Sequence, residues 1–168
     1  THISNQTIFL PFCLKFVSRI SNLISEKMVF ILNQTNTIAN KFLAELRDSG
    51  IQQDKARFRA NLTRLGEILA YEMSKSLHYE EFEVQTPLGT ANINLPQGEL
   101  VLGTILRAGL PFHQGFLNYF EDAASLFATA YRKVKKTGAF VINIDHISAP
   151  DLDGKTLLMC DTMLATGQ

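Results

Sequence analysis

Thr156-Leu157-Leu158-Met159-Cys160-Asp161-Thr162-Met163-Leu164-Ala165-Thr166-Gly167-Gln168 is the stretch whose reading decides the fold. Its first five residues are an apolar run of strand length. From Asp161 onward the chain becomes a carboxylate followed by a small turn that carries Thr166 and Gly167. Such a junction suits a sugar phosphate. The carboxylate accepts hydrogen bonds from sugar hydroxyls, while the turn offers backbone N–H groups and a threonine hydroxyl to the phosphate.

Upstream, the same kind of junction recurs. Leu100 to Leu106 reads as a buried strand followed by Arg107-Ala108-Gly109, and Pro111 then opens a helix through about Phe120, where its missing N–H is harmless. Ser125 to Tyr131 reads as the next strand, followed by Arg132-Lys133. Ala139 to Ile147 has the alternation of a projecting hairpin arm, and Asp151-Leu152-Asp153-Gly154 turns the chain into the final strand. Arg107, Arg132 and Asp161 thus stand at three strand ends, the side of a parallel α/β sheet where ligands bind.

The first half reads as helical. Ile38, Phe42, Leu43 and Leu46 have helical spacing within Asn36–Asp48, and Gly50 can end that helix. From Asp54 to Leu77, Phe58, Leu62, Leu65 and Leu69 form one stripe of a long helix. Arg57, Arg59 and Arg64 are read as solvated charge. Phe82 to Leu95 surrounds Pro87-Leu88-Gly89 with β-favouring residues, so a hairpin or a loop between short strands is expected.

A length of 168 residues fits one domain. With 46% hydrophobic and 19% charged residues the chain is globular, and 16 acidic against 16 basic side chains leave no global field for nucleic acid. Cys13 and Cys160 have no metal or redox spacing. A reducing, cytoplasmic setting is expected. Asn-x-Thr triplets at Asn5, Asn33 and Asn61 are read as chance in the absence of a secretory signal. Lys15, Arg19, Glu26 and Lys27 interrupt the apolar residues 8–32, leaving no run of ~20 residues for a membrane span. Residues 1–27 are expected to be a non-native or disordered extension, with an amphipathic helix as the alternative.

Several look-alikes fail. Gly154-Lys155-Thr156 imitates the tail of a nucleotide-binding P-loop, but Ala149 occupies the place of its first glycine and a strand follows it. Asp161-Thr162-Met163 lacks the second acid of an aspartyl-phosphate phosphatase. His2, His78, His113 and His146 have no ligand spacing. They are read as structural or solvated, although His113, close to the Arg107 loop, is a candidate to line the pocket. Met73 and the Phe112/Phe116/Phe120 row are read as core.

From Met28 onward the chain resembles the uracil phosphoribosyltransferase family. The match is carried by Phe42-Leu43-Ala44-Glu45-Leu46-Arg47-Asp48, Phe58-Arg59 and Gly66-Glu67-Ile68-Leu69-Ala70-Tyr71-Glu72. Thr86-Pro87-Leu88-Gly89, Ile105-Leu106-Arg107-Ala108-Gly109-Leu110, Ala130-Tyr131-Arg132-Lys133 and the Asp161 loop complete it. The resemblance implies a type I phosphoribosyltransferase-like α/β fold: a mostly parallel sheet flanked by helices, with a projecting β-hairpin and N-terminal helices. It implies transfer of the phosphoribosyl group of phosphoribosyl diphosphate (PRPP) to N1 of uracil, giving UMP and diphosphate in pyrimidine salvage.

By that resemblance Arg107 and Arg132 bind PRPP, and Asp161 holds the ribose hydroxyls and serves as the catalytic carboxylate. Thr162, Met163, Leu164, Ala165, Thr166, Gly167 and Gln168 belong to the PRPP-binding loop, in which Ala165-Thr166-Gly167 wraps the 5′-phosphate, while Ala108, Gly109, His113 and Lys133 are candidates for the surrounding pocket. Mg²⁺ accompanies PRPP, held by the substrate's own oxygens rather than by a protein metal site. A homo-oligomer and a GTP effector are implied too, without nucleic acid or membrane as partners.

Two residues depart from the family pattern. Thr162 stands where proline is usual, and Gln168 where glycine or serine is usual. Residues 28–168 are expected to be a partial domain, a C-terminally truncated copy without its uracil-recognition segment and inactive as such. The competing readings are a non-catalytic nucleotide- or RNA-binding regulator on the same fold and a defunct pseudo-enzyme fragment.

Overall fold

The computed structural model of the chain describes residues 16–17, 30–134 and 140–162. Two helices come first, α1 (Ala39–Arg47) and α2 (Lys55–Ser74). Asp54 starts α2 by accepting backbone N–H bonds from Ala56 at 3.0 Å and Arg57 at 3.1 Å, which satisfies donors that the first turn would otherwise leave open. Leu62, Leu65, Leu69 and Met73 then recur on one face of α2 and are buried. Each contributes ~1.5–3 kcal/mol relative to exposure.

A polar pin holds α1 against α2. Asn61 is only 1% exposed. Its Nδ2 donates to Glu45 Oε2 at 2.8 Å, and its Oδ1 accepts from Arg64 at 2.8 Å. The Arg64 guanidinium also lies 5.2 Å from the centre of the Phe42 ring, a cation–π contact. Arg64 therefore has partners within the fold, where the sequence suggested only solvated charge.

The third helix, α3 (Leu110–Leu117), has proline in its first turn. Phe112 and Phe116 are buried, edge to face at 5.4 Å, and Phe120 packs against the same core. Helices α2 and α3 meet glycine on glycine. A Cβ at Gly66 would fall on the Phe112 carbonyl, and one at Gly115 would fall on the Thr63 carbonyl. Thr63 also donates its hydroxyl to the Pro111 carbonyl at 2.9 Å.

The main sheet contains β1 (Phe16–Val17), β4 (Leu100–Leu106), β5 (Ala124–Val134), β6 (Phe140–Ser148) and β7 (Thr156–Met159). Its strand order is β1-β7-β4-β5-β6. Strands β7, β4 and β5 are parallel, and the outer strands β1 and β6 run antiparallel to their neighbours. Val101, Leu102, Gly103 and Thr104 of central β4 are all buried, as expected of a parallel strand covered on both faces. Apart from this sheet, β2 (His78–Thr86) and β3 (Gly89–Gln97) form an antiparallel hairpin closed by Pro87-Leu88.

The expected elements are present with shifted ends. The first helix begins at Ala39 rather than Asn36, and the second stops at Ser74 rather than Leu77. One difference matters for the site. Strand β5 does not end at Tyr131 but continues to Val134, paired antiparallel with β6. Its parallel ladder with β4 ends at Leu106–Thr129, and a register shift lies between Thr129 and Ala130. The arm expected at Ala139–Ile147 is thus the β5–β6 ribbon. The boundary placed at residues 27/28 lies outside the described residues. Among the described residues no helix is long and apolar enough to cross a membrane.

Candidate active site at the ends of the parallel strands

Two strand ends lie side by side. The register of β4 and β7 pairs Gly103 with Met159. One residue later, Cys160 N–H donates to the Gly103 carbonyl at 2.6 Å. The buried Thr104 hydroxyl donates to the Cys160 carbonyl at 2.8 Å. Asp161 is therefore delivered next to the Arg107 loop by bonds to neighbouring residues of β4.

Gly109 explains the spacing in Arg107-Ala108-Gly109. It is buried at φ −72°, so no left-handed conformation demands glycine there. Space does. A Cβ would fall on Thr104 Oγ1 and lie 3.0 Å from the Ile105 carbonyl and 3.3 Å from the Cys160 carbonyl. The loop thus settles onto the same hydroxyl that holds Cys160. The Leu106–Arg107 peptide bond is cis.

Arg107, Ala108 and Thr162 line a cavity of about 720 Å³ between this loop and helices α1 and α2. Ala130 of β5 also contributes. The helical wall brings Leu43, Leu46 and Arg47 from α1 and Phe58, Arg59 and Leu62 from α2. Positions 43, 46 and 47, like 58, 59 and 62, share one helix face. Among the described residues the lining is mainly apolar, carries three arginines and includes no carboxylate.

Asp161 is exposed at the strand end, and its Oδ1 accepts the Thr162 N–H at 2.8 Å. Arg132 is brought in differently from the sequence expectation. It sits inside β5, paired with Ile142 of the arm, and does not follow the strand as a loop residue. It lies three positions beyond Thr129, where the parallel ladder ends, because β6 supplies a partner that keeps the chain extended. Lys133, paired with Val141, belongs to the same ribbon. Met163, Leu164, Ala165, Thr166, Gly167 and Gln168 lie outside the described residues.

His113 does not line the cavity. It is 2% exposed, its Nε2 is 3.2 Å from the Leu102 carbonyl, and its ring packs 5.4 Å from that of Phe127. Burial holds its pKa below the ordinary imidazole value. The pocket candidacy fails because α3 turns position 113 toward the sheet. Cys160 is buried too, and burial pushes its thiol up to about 12, so it packs as a small apolar group. Sequence reasoning missed Arg47 and Arg59 as cavity residues. A signal was present, since both flank apolar stripe positions on their helices.

Comparison with known proteins gives a consistent result. A family profile described as Uracil phosphoribosyltransferase matches residues 32–168. The chain is 49% identical over 139 residues to the uracil phosphoribosyltransferase of Porphyromonas gingivalis, covering 83% of this chain and 64% of that protein. With the uracil phosphoribosyltransferase of Methanothermobacter thermautotrophicus it shares 40% identity over 134 residues, 79% of this chain and 60% of the relative. A solved structure of the AQ2163 protein from Aquifex aeolicus matches with a TM-score of 0.66 at 31% identity, covering 81% of this chain and 64% of that one. The chain therefore spans less than two thirds of the length of these relatives.

Proposed function

Because the chain belongs to the uracil phosphoribosyltransferase family, we propose that its Arg107 cavity and Asp161 strand end hold PRPP and that the protein transfers the phosphoribosyl group to uracil. The bond from C1 of the ribose to the diphosphate oxygen breaks, N1 of uracil bonds to C1 and loses its proton, and UMP and diphosphate are the products. The observation that carries this reading is the juxtaposition made by Thr104. One buried hydroxyl sets a cationic loop beside a carboxylate-bearing one.

The division of labour follows from charge. Arg107 faces the diphosphate, whose negative charge grows as the bond breaks, and Asp161 stands by the sugar, which becomes cationic. Arg132, carried on the arm, completes the grip on PRPP, and Ala165-Thr166-Gly167 is assigned to the 5′-phosphate. No covalent nucleophile is needed. The thiol of Cys160 is buried and protonated.

Among the described residues no three His, Cys, Asp or Glu side chains converge on a metal position. In this reading a magnesium ion arrives on the oxygens of PRPP, with the Asp161 carboxylate at the strand end nearby. When bound, the ion would offset charge on the diphosphate. The free, buried Cys160 suits a reducing, cytoplasmic setting. A homo-oligomer belongs to the same reading, supported by the exposed Ile142, Ile144 and Ile147 on the arm.

The test is a chimaera in which this chain is joined to the unmatched part of the Porphyromonas gingivalis relative. Supplied with uracil, PRPP and Mg²⁺, it is expected to form UMP, with no product from adenine. A folded chimaera that makes no UMP would refute the assignment.

A further inference from the structure

We infer that Arg59 is a further substrate-binding residue of the Arg107 cavity, holding from the helical wall the diphosphate that Arg107 meets from the loop. The inference rests on the phosphoribosyl-transfer reading and adds a residue to it. Three observations lead there. The described lining places Arg59 on the helical wall and Arg107 on the loop of one largely apolar space. A diphosphate between them would bring negative charge to both guanidiniums.

Second, the arginines of α2 divide by where they stand, although the Asp54 carboxylate feels the charge of both Arg57 and Arg59. Arg57 lies 3.9 Å from Asp54, and Arg64 is engaged by Asn61 and the Phe42 ring. Of the three, Arg59 alone lines the cavity. Third, its place on the helix is fixed. Phe58 and Leu62 flank it on the same face, and its carbonyl accepts the Thr63 hydroxyl at 3.2 Å. Thr63 also donates to the Pro111 carbonyl at the start of α3, so this stretch of α2 is tied to the element that follows the Arg107 loop. A diphosphate offers oxygens in several directions and can take donors from both walls at once.

The experiment is calorimetric titration of the chain with magnesium diphosphate and, separately, with ribose 5-phosphate. Wild type, Arg59→Ala, Arg59→Lys, Arg57→Ala and Arg107→Ala are compared. Arg59→Ala is expected to weaken diphosphate binding about tenfold or more, the effect of one charge-assisted hydrogen bond, while ribose 5-phosphate binding stays at the wild-type value. Arg59→Lys is expected to recover part of the loss, and Arg57→Ala to match wild type. Diphosphate affinity that falls in Arg107→Ala but is unchanged in Arg59→Ala would overturn this inference alone. A loss of the same size in Arg57→Ala would also overturn it, by making the effect one of net charge. A folded wild-type chain that binds neither ligand would instead bring down the phosphoribosyl reading beneath it.

Discussion

The hydroxyl of Thr104 and the carbonyl of Cys160 are 2.8 Å apart in the buried centre of the sheet, and that hydrogen bond ties the two loops of the site together. Gly109 packs on the same hydroxyl, so the Arg107 loop and the Asp161 strand end share one reference atom. Neither loop can shift without disturbing the other.

Replacing that hydroxyl should therefore loosen both loops. Thr104→Val keeps the shape but leaves the Cys160 carbonyl without its side-chain donor, a cost of ~1–3 kcal/mol for a buried acceptor. Gly109→Ala should act at the same point by pushing on Thr104. Urea denaturation should show both variants less stable than wild type, and calorimetry should show weaker PRPP binding in both. Wild-type stability and affinity in Thr104→Val would remove this link.

The glycine contact between α2 and α3 makes a separate prediction. Gly66→Ala and Gly115→Ala should each destabilise the chain by ~1–3 kcal/mol, because the added methyl meets backbone rather than a movable side chain. Thermal melts would read this. Gly154→Ala is the contrasting case, since nothing stands near its Cβ but its φ of +72° favours glycine. Its cost should be conformational and smaller.

Much of this fold was legible in the sequence for physical reasons. Leu62, Leu65 and Leu69 repeat at the helical period, and Leu100–Leu106 is a mostly apolar run without a charge, so local pattern alone declares them. Arg107 and Asp161 were legible because each directly follows such a run. What stayed hidden depends on pairing between distant segments. Arg132 lies within a strand because β6 continues the ladder past Thr129, and no feature near Tyr131 announces that. His113 faces Leu102 and Phe127 rather than the cavity, and the orientation of α3 on the sheet decides it. The close approach at Gly66 and Gly115 also depends on how two helices cross.

His113 should make stability depend on pH. Its folded pKa lies below the ordinary 6.5 because burial disfavours the charged ring. The unfolded chain therefore binds the proton more readily, and stability is lost as pH falls through and below 6.5. Above that range the imidazole is neutral in both states and the term vanishes. Denaturation midpoints from pH 7.5 to 5 should fall, and His113→Gln should flatten this part of the profile. An identical slope in the variant would assign the effect to other groups.

Asp161 should affect turnover more than affinity. In the proposed role it stands beside charge that develops only as the sugar–diphosphate bond breaks, which places its contribution in the transition state. In the chimaera with the Porphyromonas gingivalis relative, Asp161→Asn should lower kcat by a larger factor than it raises KM for PRPP. Losses confined to KM would make Asp161 a ground-state contact.

Titration of PRPP with Mg²⁺ into the wild-type chain and Arg107→Ala decides whether the loop after β4 grips the diphosphate of PRPP. Arg107 is exposed, so its removal should leave the melting curve intact while costing ~1.5–3 kcal/mol of binding, the worth of a charge-assisted contact. Equal PRPP affinity in a folded Arg107→Ala chain and in wild type would contradict the account.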